Sequence, residues 1–272
     1  MTLSSHAIGI FDSGVGGLTV MQQLMQTLPH ERFIYFGDTA RVPYGNKSSH
    51  TIVRYSIENT ICLLEKNIKL LVVACHTASA FALAKLRQFF HLPIVGVIEA
   101  GAEKAVTMTR NQRIAVLGTK GTIQSGAYQA AIHQLAPQAF VLPIACPLLV
   151  PLVEEQWFDH PATHLILQEY LRPIREERID TILLGCTHYP LLGSLIQQEA
   201  GEEVLLVDSG LTCADQVARL LKQLQLLSPA PQGQHQYYVS DDPDKFRFSA
   251  ERLFGHSLTF VELLSPERFH PS

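Results

Sequence analysis

Apolar residues recur along the chain in two alternating rhythms. AIGIF, RFIYF, KLLVVA, PIVGVI, RIAVLG, AFVLPI, DTILLG and EVLLV are short apolar or β-branched runs. Continuous runs of this length are the mark of strands buried on both faces, as in a parallel sheet. Between them lie stretches with helical spacing, as in Leu18, Met21, Leu24, Met25 and Leu28, or Ala80, Leu83, Ala84, Leu86 and Arg87. Alternation of this kind predicts an α/β protein with parallel-type sheets.

The runs form two sets of four with matching offsets. Asp12 lies 21 positions before Phe33, and Gly118 lies 22 before Phe140. Cys75 follows Asp12 by 63, and Cys186 follows Gly118 by 68; Glu99 follows Cys75 by 24, and Asp208 follows Cys186 by 22. Four landmarks repeating in order predict a duplicated unit, hence two similar, pseudo-symmetric α/β domains with a cleft between them. The expected division is residues 1–99 plus 208–272 for one domain and 100–207 for the other. LSPAPQGQHQ, 227–236, reads as a linker; QYYVS then reads as a strand and DPDKFRFSAERLFG as a helix stopped at Gly255.

Composition narrows the function. The chain has 272 residues, is 47% hydrophobic and carries a net charge of −4, so it can bury a substantial core. Its 21 Lys and Arg are scattered, which argues against nucleic acid or an anionic membrane as partner and in favour of a small polar ligand. The first residues have no basic leader, and no apolar run reaches membrane-spanning length, so a cytoplasmic location is expected. Five widely spaced cysteines without a Cys-x-x-Cys pair suggest neither a disulfide framework nor zinc.

Two of those cysteines end equivalent strands. Cys75 follows KLLVVA and precedes HTASA; Cys186 follows TILLG and precedes THYPLL. Ligands of parallel sheets gather at this edge, and a helix start there is expected to lower a thiol's pKa. Two equivalent thiols across a cleft suit reversible proton transfer at a carbon, one on each face. A single such cysteine is more often a small core residue. Two at matched positions, as Cys75-His76-Thr77 and Cys186-Thr187-His188, favour chemistry; Cys62, Cys146 and Cys213 read as structural.

FDSGVGGLTV, GDTARVPYG, VVACHTASA, LLVPLVEE and LLGCTHYPLL, in this order, resemble the aspartate/glutamate racemase superfamily over nearly the whole chain. The resemblance implies cofactor-independent interconversion of L- and D-glutamate, supplying D-glutamate for peptidoglycan, with no metal. It implies Cys75 and Cys186 as the acid/base pair, Cys75 acting on D-glutamate and Cys186 on L-glutamate. Asp12 would assist Cys75, and His188 would assist Cys186 with Glu154 on its side. Ser13, Tyr44, Gly45, Thr77 and Thr187 match positions that contact substrate. From the residues alone, Asp12 could equally be a turn residue, Tyr44-Gly45 a turn, and Glu154 or Glu155 a solvated pair.

One position departs from the family pattern: His76 stands where asparagine is usual. A neutral imidazole donor is expected there, since burial opposes its charge. The departure keeps open a racemase of another amino acid, such as aspartate, and a protein-binding role of the kind described for family members that bind DNA gyrase. A homodimer is a further possibility. About seven residues precede the first predicted strand, which suggests activity without the cell-wall precursor that activates some relatives.

Other motifs fail their own rules. Gly14-Val15-Gly16-Gly17 lacks the third glycine of a dinucleotide fingerprint, because Thr19 occupies that place. A thiol hydrolase would leave the second matched cysteine unexplained.

Overall fold

In the computed structural model, residues 3–231, 233–255, 257–258 and 260–266 are described. Gln232 of the expected linker and the ends of the expected first domain, 1–2 and 267–272, lie outside them. Every one of the eight apolar runs contains a strand: β1 (Ala7–Asp12), β2 (Phe33–Gly37), β3 (Ile68–Val73), β4 (Ile94–Gly96), β5 (Arg113–Gly118), β6 (Phe140–Ala145), β7 (Thr181–Gly185) and β8 (Leu205–Asp208). β9 (Gln236–Val239) is the expected QYYV strand, and β10 (Val261–Leu263) was not anticipated. The helices are α1 (Leu18–Thr27), α2 (Ser49–Leu64), α3 (His76–Phe89), α4 (Val97–Met108), α5 (Lys120–Gln124), α6 (Ala127–Leu135), α7 (Leu149–Glu154), α8 (Pro161–Glu176), α9 (Gly193–Ala200), α10 (Ser209–Gln223) and α11 (Pro243–Phe254).

All strand pairings are parallel, in two sheets ordered β10-β9-β2-β1-β3-β4 and β6-β5-β7-β8. The order β2-β1-β3-β4 recurs as β6-β5-β7-β8, so the repeat seen in the spacing is a repeat of topology. β1 and β5 are equivalent, as are β3 and β7. Their centres are in matching register, Ile10 between Tyr35 and Val72, and Val116 between Pro143 and Leu183. β6 is a half-exposed edge strand, the place where a strand tolerates Pro143.

Side chains alternate across each sheet into separate cores. Ile8, Ile10 and Val72 pack with Leu24 of α1 and Val217 of α10, while Phe11, Leu71 and Val73 face Ala82 and Leu86 of α3. In the second sheet Leu117, Ile182 and Leu184 meet Leu167 and Leu171 of α8. Val116 and Leu183 meet Ile98 and Ala102 of α4 and Ile132 of α6. Thus α4 covers the second sheet and α10 returns to the first, and the two helices pack on one another. The sequence-based division falls inside α4 at 99–100 and at the last residue of β8.

β9 and β10 extend the first sheet beyond β2. α11 starts at Asp242, whose side chain accepts from the Lys245 amide, and ends at Gly255 with φ +72°, a left-handed cap that glycine adopts without strain. At the opposite end of β3, buried Lys69 ion-pairs with Glu31 at 2.6 Å and donates to the carbonyls of Ser4 and Leu226. This cluster ties the chain's first residues, the sheet and the segment after α10 together.

Candidate active site

The carboxyl ends of β1, β3, β5 and β7 converge on one cleft. Ser13, Tyr44, Gly45, Cys75, His76 and Thr77 line it from the first sheet, and Cys186, Thr187 and His188 line it from the second. These are nine of the eleven residues singled out from the sequence. Asp12 is fully buried behind Ser13, and Glu154 reaches the cleft through His188.

Cys75 is the N-cap of α3, as its strand-to-helix context predicts. Its pKa nevertheless moves opposite to expectation. Burial pushes the thiol up to about 12, helped by the Asp12 carboxylate and by Cys186. The Ala78 amide at the helix start and the Ser13 hydroxyl, 3.8 Å from the sulfur, pull the other way and are outweighed. The helix start supplies partial charge, but desolvation of a buried thiolate is the larger effect. Cys75 is therefore held as a thiol.

Cys186 differs from its counterpart in local structure. It opens a turn through Thr187 and His188, followed by a 3-10 turn over Tyr189–Leu192, and α9 begins only at Gly193. The expected α-helix start beside this sulfur is thus corrected to a turn, shaped by Pro190. Instead of a helix dipole, Cys186 has His188, with Nδ1 3.9 Å from Sγ. Nε2 of the same ring lies 3.1 Å from Glu154 Oε1 at the end of α7. Burial lowers the His188 pKa, but its hydrogen bonds to Cys186 and Glu154, with the charge interactions of both groups, outweigh it and raise the value to about 10.

Asp12 makes the turn contact that the sequence allowed and a second contact across the cleft. One carboxylate oxygen accepts from the Gly14 amide at 3.0 Å, as a turn residue would, and the other accepts from Thr187 Oγ1 across the cleft at 3.5 Å. Burial raises its pKa, opposed by the charge of His188 and by the amides of Gly14, Gly17 and Ser13. The glycines that mimicked a dinucleotide loop serve close approach. A Cβ on Gly16 would sit 2.5 Å from the His188 ring and from Thr187 Oγ1. Thr19 Oγ1 bonds both the Gly16 carbonyl and the Thr187 carbonyl at 2.9 Å, fixing that contact.

Two predicted contact residues have their hydroxyls engaged with protein. Tyr44 OH donates to Asp38 and accepts from Asn59 Nδ2 at 3.0 Å, so this residue offers the cleft its ring. Thr77 Oγ1 lies 3.0 Å from both Thr119 Oγ1 and Thr122 Oγ1, pinning α3 to α5 across the cleft. Buried His76 is neutral, its pKa pushed down to about 3 by desolvation, and its Nδ1 lies 2.8 Å from Tyr128 OH. Glu154 and Glu155 are both exposed, but only Glu154 contacts His188.

Thr119 and Val150 also line the cleft and were not singled out. Thr119 follows β5 as Ser13 follows β1, so the internal repeat carries the signal for it. Cys62, Cys146 and Cys213 lie within the apolar cores and form no disulfide, in line with a structural role. Among the described residues there is no group of three or more His, Cys, Asp or Glu placed to hold a metal ion, and no helix long and apolar enough to cross a membrane.

Comparison with known proteins gives one family. The model of the Asp/Glu/Hydantoin racemase family matches residues 12–217. A glutamate racemase from Geobacter metallireducens is 52% identical over 262 residues, 96% of this chain and 97% of that one. Among solved structures, a glutamate racemase isoform from Bacillus anthracis superposes with a TM-score of 0.93 at 37% identity, covering 96% of this chain and 97% of its own. The glutamate racemase from Francisella tularensis in complex with D-glutamate does so with a TM-score of 0.92 at 33% identity, covering 98% and 100%.

Proposed function

The chain belongs to the Asp/Glu/Hydantoin racemase family, and from that premise we propose that it interconverts L- and D-glutamate by proton transfer between Cα and two thiols. The observation that carries this reading is the placement of Cys75 and Cys186 after equivalent strands, on opposite walls of one cleft.

In the L-to-D direction Cys186, as thiolate, takes the Cα proton, and Cys75, held as thiol, gives its proton to the opposite face. One proton leaves carbon for the sulfur of Cys186 and one arrives from the sulfur of Cys75, so the substrate's charge is unchanged. The reverse reaction exchanges the roles. His188 holds a proton beside Cys186, and Glu154 orients the ring from its far side. Asp12 keeps the Cys75 proton in place by raising the cost of the thiolate. The amides at the start of α3, with Ser13 and Thr187, suit a substrate carboxylate, and His76 adds a neutral donor. No cofactor enters this scheme.

The product fits a supply of D-glutamate to peptidoglycan from the cytoplasm. His76, in place of the family's usual asparagine, is the observation that favours a second reading, racemisation of another amino acid such as aspartate. Circular dichroism assays of purified protein with glutamate, aspartate and other amino acids side by side separate the two. Glutamate is expected to have the highest kcat/KM. Preference for another amino acid replaces the substrate assignment, and absence of turnover on all of them, by a folded chain, contradicts an enzymatic role.

A further inference from the structure

His76 is the first residue of α3, adjacent to Cys75, and its hydrogen-bonding partner comes from the other half of the molecule. Tyr128, on α6, is fully buried, with its hydroxyl 2.8 Å from His76 Nδ1 and 3.1 Å from Ser209 Oγ. Ser209 opens α10, and its hydroxyl also lies 3.4 Å from the Leu184 carbonyl, two residues before Cys186. A buried chain His76–Tyr128–Ser209 therefore runs from beside one sulfur to the strand that carries the other. Gly101 of α4 makes room for it, since a Cβ there would sit 2.6 Å from Ser209 Oγ.

The chemistry of these contacts favours one order of protons. Hydroxyl donors reach their partners at about 2.7–2.8 Å and N–H donors at about 2.9–3.0 Å. The 2.8 Å contact to Nδ1 thus matches a phenol donating to the ring, and the bare imidazole nitrogen is a better acceptor than a serine oxygen. In this order Ser209 gives its single proton to Tyr128 at 3.1 Å in preference to the Leu184 carbonyl at 3.4 Å, the longer and weaker of the two contacts. With Nδ1 accepting, the proton of the neutral ring sits on Nε2. That atom has no hydrogen-bond partner among the described residues. Among the described residues the only buried side-chain polar atoms without a hydrogen bond are Gln216 Oε1 and Glu31 Oε2, the latter ion-paired to Lys69, so Nε2 is accessible from the cleft that His76 lines.

We propose that Tyr128 and Ser209 are positioning residues that lock His76 in the Nε2–H tautomer, so that this ring can only donate, and therefore selects an anionic oxygen of the substrate at its place in the cleft. The alternative tautomer would present a lone pair and repel a carboxylate there. The carboxylate partner rests on the amino-acid racemase reading; the tautomer does not. The chain also makes the donor conditional on the two halves of the molecule being closed on one another, because its members come from α3, α6 and α10.

The test is the His76 side chain in long-range proton–nitrogen NMR spectra of ¹⁵N-labelled full-length protein without substrate, assigned by its loss in His76→Asn. The Nε2–H tautomer is expected in the native chain. Tyr128→Phe, which keeps the ring and removes the hydroxyl, should release the lock and show a mixed or Nδ1–H ring. Its KM for glutamate should rise about tenfold with kcat changed much less, the mark of a lost hydrogen bond to a charged group. An Nδ1–H ring in the native protein overturns the proposal, even if Tyr128→Phe does not fold. So does an unchanged tautomer in a folded Tyr128→Phe. Failure to turn over glutamate, with the Nε2–H tautomer present, would count against the substrate assignment and leave the lock standing.

Discussion

Nδ1 of His188 lies 3.9 Å from the sulfur of Cys186, and the ring's pKa is raised from 6.5 to about 10 despite its burial. A base whose pKa is higher in the folded chain than in the unfolded one contributes stability that is complete below the unfolded value. That contribution is lost as pH rises through the folded value. His188 should therefore stabilise the protein fully below pH 6.5 and progressively less toward pH 10. Urea unfolding at several pH values should show a steeper alkaline loss for the native chain than for His188→Asn. Parallel curves would mean that the histidine is not charged in the native state. Glu154→Gln should move the alkaline limb of kcat/KM to lower pH, modestly, because Glu154 is 42% exposed and its charge is screened by solvent.

Asp12 has the same sign of pH dependence for a different reason, burial rather than a charged partner. Its pKa is raised from 3.8 by burial, so the folded state binds its proton more tightly than the unfolded state does, and stability falls as pH rises above 3.8. Asp12→Asn should be more stable than the native chain at neutral pH and no more stable in acid. It should also lower the Cys75 pKa, because the carboxylate is one of the charges that raise it. Turnover should fall by about a hundredfold, the scale of a lost acid–base contributor. Alkylation of Cys75 against pH reads the thiol, and an unshifted profile would detach Asp12 from it.

Gly16→Ala tests the close contact between the Gly-rich loop and the second half of the chain. The added methyl would stand 2.5 Å from the His188 ring and Thr187 Oγ1, so one wall of the cleft must move. A displacement of this size should cut kcat/KM by about a hundredfold while the far-ultraviolet spectrum stays native. Full activity would show that the contact is not needed for catalysis.

The strands were legible because parallel strands buried on both faces read as unbroken apolar runs. β10 escaped because Val261–Leu263 is three residues long, with two of them exposed. PIVGVI looked like one strand, but its last two residues open α4, an ambiguity that apolar runs always carry. Cys75, Cys186 and His188 could be found because the repeat and the motif mark them locally. Tyr128 could not: in AYQAAIHQL it looks like any core helix residue, and its link to His76 joins positions 52 apart. The expected lowering of the Cys75 pKa failed because the helix start is visible in sequence whereas the depth of burial is not.

The two-thiol account is tested most directly by isotope incorporation in D₂O, starting from each glutamate enantiomer separately. Product formed early should carry deuterium at Cα, while recovered substrate keeps its original hydrogen, because the proton removed by one thiol and the deuteron delivered by the other belong to different sulfurs. Cys75→Ala and Cys186→Ala should each abolish racemisation. Product that retains the substrate hydrogen, or full turnover in either cysteine variant, would contradict the account.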